Sequence, residues 1–194
     1  MYQRLLADAS FFALLLAFDR DLAGQAREAG CQSCGDVLHQ ADYPRHPRGG
    51  PVGASELGRD FEVRYSYCCR REGCRKRHTP ASVRFLGRRI YLGAIVVLVS
   101  ALREGPTPAR LATLREVVGV CARTVRRWQR WWKEQFPRTE VWRAARGWLA
   151  CPVVENELPL SLLDRFAGSA SERVRGLLRL LEPLSQSSRP GRTS

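Results

Sequence analysis

The chain has 194 residues, a formal net charge of +13 and a pI of about 10.3. That length allows one sizeable domain or two small ones, and a protein this basic ordinarily meets a polyanion. Export and membrane insertion are argued against. The apolar stretch at 11–18 follows Asp8 and precedes Asp19 and Asp21, with no small-residue cleavage site. Ile90 to Leu102 falls short of the about 20 residues that span a bilayer. The expected setting is cytoplasmic and nucleoid-associated, with no membrane partner. Lysine occurs only at Lys76 and Lys133, so the placement of arginines says more than their number.

The expected fold is mainly α, in five segments. Residues 1–28 read as an N-terminal helix, with Leu5, Phe12, Leu15 and Leu22 on one stripe and Leu6, Ala13 and Leu16 beside it. Packing on its own chain is the default for that stripe; a second subunit, giving a homodimer, is the alternative. Residues 29–84 follow. Cys31-x2-Cys34 is one metal knuckle, and FEVRYSYCCRREGC supplies Cys68, Cys69 and Cys74 for the other. Zinc takes four thiolates in a tetrahedron, and two sequence-close pairs supply them with little strain. Phe61, Val63, Tyr65 and Tyr67 alternate as a strand, which puts Cys69 on the aromatic face. The expected ligands of a structural Zn2+ are therefore Cys31, Cys34, Cys69 and Cys74. Cys68 competes with Cys69, and His78 is a fallback that reads better as a surface histidine. Reducing surroundings favour metal over disulfide at these spacings. Four protein ligands leave no open position for a reacting water. The result is a small β zinc ribbon, interrupted by the Pro/Gly-rich loop Tyr43–Gly58, whose Arg45, His46 and Arg48 either touch phosphate or merely connect. After it come the cations Arg75, Lys76, Arg77, Arg84, Arg88 and Arg89.

Residues 85–150 read as a trihelical domain. Ile90–Arg103 is a nearly apolar, central helix ended by Gly105-Pro106. Thr107 with Pro108 starts the next, which runs to Val118 with Leu114, Val117 and Val118 facing the core. Gly119 makes the turn and Val120 plugs it. The following helix divides cleanly: Val125, Trp128, Trp132 and Phe136 share one face, while Arg123, Arg126, Arg127 and Arg130 crowd the opposite one. An apolar anchor behind guanidinium forks is what a DNA-recognition helix needs, and Thr124 joins the expected contacts. Trp131 either stacks on a base or is half-buried. Val141, Trp142, Ala145, Trp148 and Leu149 form a further apolar stripe. Cys121 and Cys151 read as small core residues. Residues 151–184 read as C-terminal helices, a short one at Leu160–Phe166 and a last one capped by Ser171 with Val174, Leu177, Leu178 and Leu181 on one side. Residues 185–194 read as a disordered tail.

Two motifs carry a resemblance. Leu114-x4-Gly119-Val120-Cys121-Ala122-Arg123-Thr124-Val125-Arg126-Arg127-Trp128 resembles the helix-turn-helix of bacterial transposases and resolvases. Cys121 stands where those proteins usually carry a Ser N-cap. The succession of aromatic strand, cysteine pair, basic cluster and Thr79-Pro80-x-Ser82 resembles the zinc ribbon heading several insertion-sequence transposase families. There, as here, a helical DNA-binding unit follows; the resemblance covers about residues 29–136. It implies duplex DNA as partner, beside a separate transposase or in transcriptional regulation, or else the remnant of a decayed transposase gene. The catalytic domain of those enzymes needs a mixed sheet bearing three carboxylates. After Phe136 come Glu140, Glu155, Glu157, Asp164, Glu172 and Glu182, on helices and loops without β alternation. No catalytic residues are expected, and the chain reads as a non-enzyme. RNA binding through the ribbon and a protein-interaction module are the alternatives.

Overall fold

Asp8 divides the N-terminal helix in two. The structure, a computed structural model, describes residues 2–45, 57–86, 91, 93–100, 107–149 and 152–185. His46, Arg48, Arg88, Arg89, both ends of the Ile90–Arg103 helix with Gly105-Pro106, Cys151, the tail beyond Ser185 and the side chain of Val117 lie outside the described residues. Where one long helix is expected, a 3-10 turn, Tyr2–Ala7, precedes helix α1, Ala9–Glu28. The Asp8 carboxylate accepts the N–H groups of Ser10 and Phe11 at 3.0 and 3.3 Å, capping α1 and suiting its positive end. Phe11, Phe12, Leu15 and Leu16 enter the main core with Leu5 and Leu6. The stripe therefore packs within the chain, although Ala13 is exposed.

The ribbon is built from strands β1 (Leu38–Gln40), β2 (Tyr43–Pro44), β3 (Val63–Arg64), β4 (Tyr67–Cys69) and β5 (Arg77–His78). Among the described residues, β4 lies between β1 and β5, antiparallel to both, while β2 pairs with β3. Such short strands need help, and a small core of Ala23, Cys31, Leu38, Tyr67 and Cys69 gives it. The Tyr67 hydroxyl donates to the Ala23 carbonyl at 2.9 Å, so α1 serves both the ribbon and the helical body. The expected alternation from Phe61 to Tyr67 fails in its first half. Arg59–Glu62 is a 3-10 turn, and Arg64 and Ser66 are buried.

Arg84, expected among the exposed cations, is instead fully buried. Its Nε donates to Asp19 at 2.7 Å, and its other nitrogens reach the carbonyls of Phe61 and Val63 at 2.8 and 3.0 Å. Asp19 also accepts the Ser82 hydroxyl at 2.6 Å and the Val83 N–H at 2.8 Å. A charge leaves water only when paired and hydrogen-bonded, and both conditions are met here.

Helix α2, Gly93–Ser100, is buried along its whole length. Helix α3, Pro108–Val118, begins at the expected proline, and its Leu114 and Val118 face inward. Helix α4, Ala122–Arg130, rests Val125 and Trp128 in the core. Between them Gly119 has φ +63, with its N–H on the Arg115 carbonyl at 3.1 Å and Val120 wholly buried. A left-handed backbone costs an L-residue about 1–2 kcal/mol. Gly119→Ala should lose that much stability in urea titration; an unchanged midpoint would mean the turn is not left-handed.

Beyond α4 the helix widens into a π-helical turn, Trp131–Gln135, then tightens into a 3-10 turn, Phe136–Arg138, at Pro137. Trp132, Phe136 and Trp142 interlock here, with ring centres 4.8 and 5.4 Å apart. Trp131 is half-buried against Trp132 and Phe136. Helix α5, Glu140–Arg146, buries Trp142 and Ala145 but stops too soon to turn Trp148 inward, and that ring is 78% exposed rather than packed in the core. Helix α6, Leu160–Leu163, is shorter than expected. Helix α7, Ala170–Leu180, is capped by Ser169, not Ser171: Ser169 and Glu172 form a reciprocal capping box. Val174, Leu177, Leu178 and Leu181 close the chain's own core, α7 meeting α2 where Gly93 leaves room beside Leu178.

Candidate functional site

The two cysteine pairs meet. Cys31 ends the turn after α1, and Cys34 follows within a tight bend closed by the Gly35 N–H on the Cys31 carbonyl at 2.7 Å. In the second knuckle the Cys74 N–H returns to the Arg71 carbonyl at 3.0 Å, and Arg75 adopts φ +44. The sulfurs of Cys31, Cys34, Cys69 and Cys74 all lie within 4.8 Å of one another. Cys31 and Cys74 are 3.7 Å apart, and Cys34 and Cys69 3.5 Å. A tetrahedron with metal–sulfur bonds of about 2.3 Å has edges of about 3.8 Å, and the two shorter separations match it, so the four thiols could close on one ion. These separations are far too long for disulfides. Strand parity decides between the competing cysteines. Tyr67 and Cys69 face the small core, whereas the sulfur of Cys68 turns outward to the Arg75 carbonyl at 3.4 Å.

His78 is not the surface residue expected. It pairs with Tyr67 across β4 and β5, which sets it on the cysteine face, and its Nε2 lies 3.2 Å from the Cys31 sulfur. An imidazole N–H there would orient and partly neutralise a metal-bound thiolate. The thiols differ in acidity. Burial acts to raise Cys31, but the N–H groups of Ser33 and Cys34, with the Cys34 and His78 side chains, outweigh it and bring the thiol to about 6. Burial, helped by the neighbouring sulfurs, pushes Cys69 up to about 12. Metal entry must therefore displace protons from this cluster.

The second candidate surface is α4. Arg123, Arg126, Arg127 and Arg130 are all exposed, and among the described residues none pairs with a carboxylate. The opposite face is fixed: Trp128 meets Tyr91 edge-on at 5.0 Å, and the Tyr91 hydroxyl reaches the Gly119 carbonyl at 3.3 Å. Thr124 belongs to that inner face and is only 9% exposed, so it does not join the arginine row. Cys121 occupies the N-cap without a capping bond from its sulfur and is exposed, contrary to the expected core thiol. The hydroxyl and N–H of Thr124 hold its thiol below the usual range.

No protein-family model matches this chain, nor does any curated protein or solved structure. The site residues thus stand on geometry alone. On the ribbon, Arg75, Lys76 and Arg77 are exposed as expected, and Arg70 and Arg71, in the same CCRREGCRKR run, join them. The unbroken basic run is the sequence signal for this last pair. No described helix is long and apolar enough to cross a membrane.

Proposed function

We propose that this chain is a zinc-stabilised, non-catalytic protein that binds double-stranded DNA through α3, the Gly119 turn and α4. The observation that carries the reading is the division of α4: four guanidinium groups face solvent without carboxylate partners among the described residues, and tryptophan and valine anchor the other side. Nine helical residues backed by a rigid core make a rod that fits the major groove, where arginine forks read guanine edges or grip phosphates. The exposed cations around Cys74 would hold the backbone. The four-thiolate donor set favours zinc over harder ions and leaves no open coordination position. The acids after Phe136 support the non-catalytic reading, because several are committed locally. Glu172 closes the cap of α7, Asp164 pairs with Arg173, and Glu155 takes the Trp142 indole and Arg146. The biological setting proposed is that of a transposase-associated factor or transcriptional regulator.

The test is a titration against duplex DNA at several salt concentrations. Affinity should fall steeply with salt, and Arg126→Ala or Arg127→Ala should cost about 1–3 kcal/mol while relaxing base preference at the contacted position. If the lost arginine instead met a phosphate, the salt slope should drop by about 0.9. A salt-independent affinity would sink the proposal, and so would preference for a structured RNA competitor at equal salt.

A further inference from the structure

A cavity of about 940 Å³ lies between the C-terminal half of α1 and the ribbon, well apart in sequence from α4. Arg45, Arg64 and Arg77 all line it, with Tyr43 and Thr79 between them. Arg64 is 1% exposed. One of its terminal nitrogens donates to the Pro80 carbonyl, but its Nε has no partner and no carboxylate pairs with it among the described residues. The contrast with Arg84 is direct, since that buried guanidinium has Asp19 and backbone carbonyls around it. A buried cation with no directly paired carboxylate is unfavourable, and Asp19 acts on Arg64 only from a distance. Burial lowers the pKa of Arg64; Asp19 and Tyr43 act against that, while Arg45 and Arg84 reinforce it.

Aromatic faces hold these cations in place. The guanidinium groups of Arg45 and Arg64 lie 4.8 and 5.8 Å from the centre of the Phe85 ring, and Arg77 lies 5.8 Å from that of Tyr43. The acid on the wall is Glu182, whose own pKa is raised by burial and then by Asp19. No ion pair joins it to Arg64 or Arg77 among the described residues. The α1 side of the cavity sets Leu22, Ala26 and Ala29 beside the amide of Gln25.

We propose that this cavity is a phosphate-binding site, in which Arg64 and Arg77 receive the oxygens of a phosphate group and Leu22, Ala26 and Ala29 lie beside whatever that phosphate is attached to. Guanidinium forks match phosphate oxygens in geometry, and a group carrying up to two charges answers several cations at once. The phosphate could belong to a small phosphomonoester or to a nucleic-acid backbone, and the experiment separates them.

The full metal-loaded chain is titrated with inorganic phosphate at constant ionic strength, following the Arg64 Nε–H resonance. A parallel titration uses duplex DNA. Saturable movement with phosphate alone supports a free phosphomonoester; movement only with duplex supports a backbone phosphodiester. Arg64→Gln could disturb folding, so Arg77→Gln carries the mutational test and should weaken the interaction about tenfold. Arg126→Gln on α4 should leave the inorganic phosphate response unchanged, which separates this site from the helix-turn-helix reading. The proposal is overturned if the Arg64 resonance ignores both ligands, if acetate moves it as phosphate does, or if Arg77→Gln binds like the native chain.

Discussion

Chelating the proposed zinc is expected to melt the ribbon and spare most of the helical body. The strands of the ribbon are two or three residues long, and its private core is small and includes two of the ligand cysteines. Without the ion the buried Cys69 thiol, pushed up to about 12, keeps its proton, and the bonds that would tie the two cysteine turns together are lost. The larger core of α1, α2, α4 and α7 does not pass through the site. Amide spectra recorded during chelation should therefore lose dispersion over 31–45 and 63–78, while the helical circular dichroism signal largely persists. Cys69→Ser should abolish stoichiometric metal binding, whereas Cys68→Ser should keep it. Cobalt loaded in place of zinc should give the strong visible bands of a tetrahedral thiolate site. Full retention of ribbon signals after chelation would overturn the metal centre, and loss of metal in Cys68→Ser would overturn the choice of Cys69 over Cys68.

Asp19→Ala should be the costliest single change in the helical body, at about 3–5 kcal/mol, because it strands the buried Arg84 charge. Folded domains are stable by only about 5–15 kcal/mol, so the variant stands close to unfolding at ambient temperature. Replacing both partners, Asp19→Leu with Arg84→Met, should recover much of the loss, since it removes the stranded charge rather than exposing it. The remaining deficit reflects the Ser82 and Val83 groups that also depend on the Asp19 carboxylate. Urea unfolding of the single and double variants measures both effects. A loss below about 1 kcal/mol for Asp19→Ala would assign the pair the weak energetics of a surface contact.

Features set by local spacing were legible in the sequence. The two knuckles need only neighbouring cysteines, and the choice of Cys69 over Cys68 needs only the two-residue period of a strand. The division of α4 follows from the helical period, and the Gly119-Val120 turn from the backbone freedom of glycine. Features set by distant partners were not legible. Arg84 sits in a basic run and looks solvated until Asp19, 65 residues earlier, is brought beside it. His78 joins the cysteine cluster only because β5 pairs with β4. Trp148 shows a third limit: the stripe on α5 is real, but a helix ending at Arg146 no longer carries the next residues around to the core. Ser169 was recoverable, because Ser169-x-x-Glu172 has the spacing of a capping box and Ser171 does not.

The π-helical turn at Trp131–Gln135 ends the regular arginine face at Arg130. Nine residues at about 1.5 Å each make a rod of about 13 Å, against about 3.4 Å per base step. As the DNA-reading helix proposed above, it would span about four steps, and a word of four letters recurs by chance every few hundred positions in any genome. An address long enough to be unique would have to be spelled by more than this helix, through a companion molecule at a neighbouring word or through the ribbon lying across the adjoining stretch.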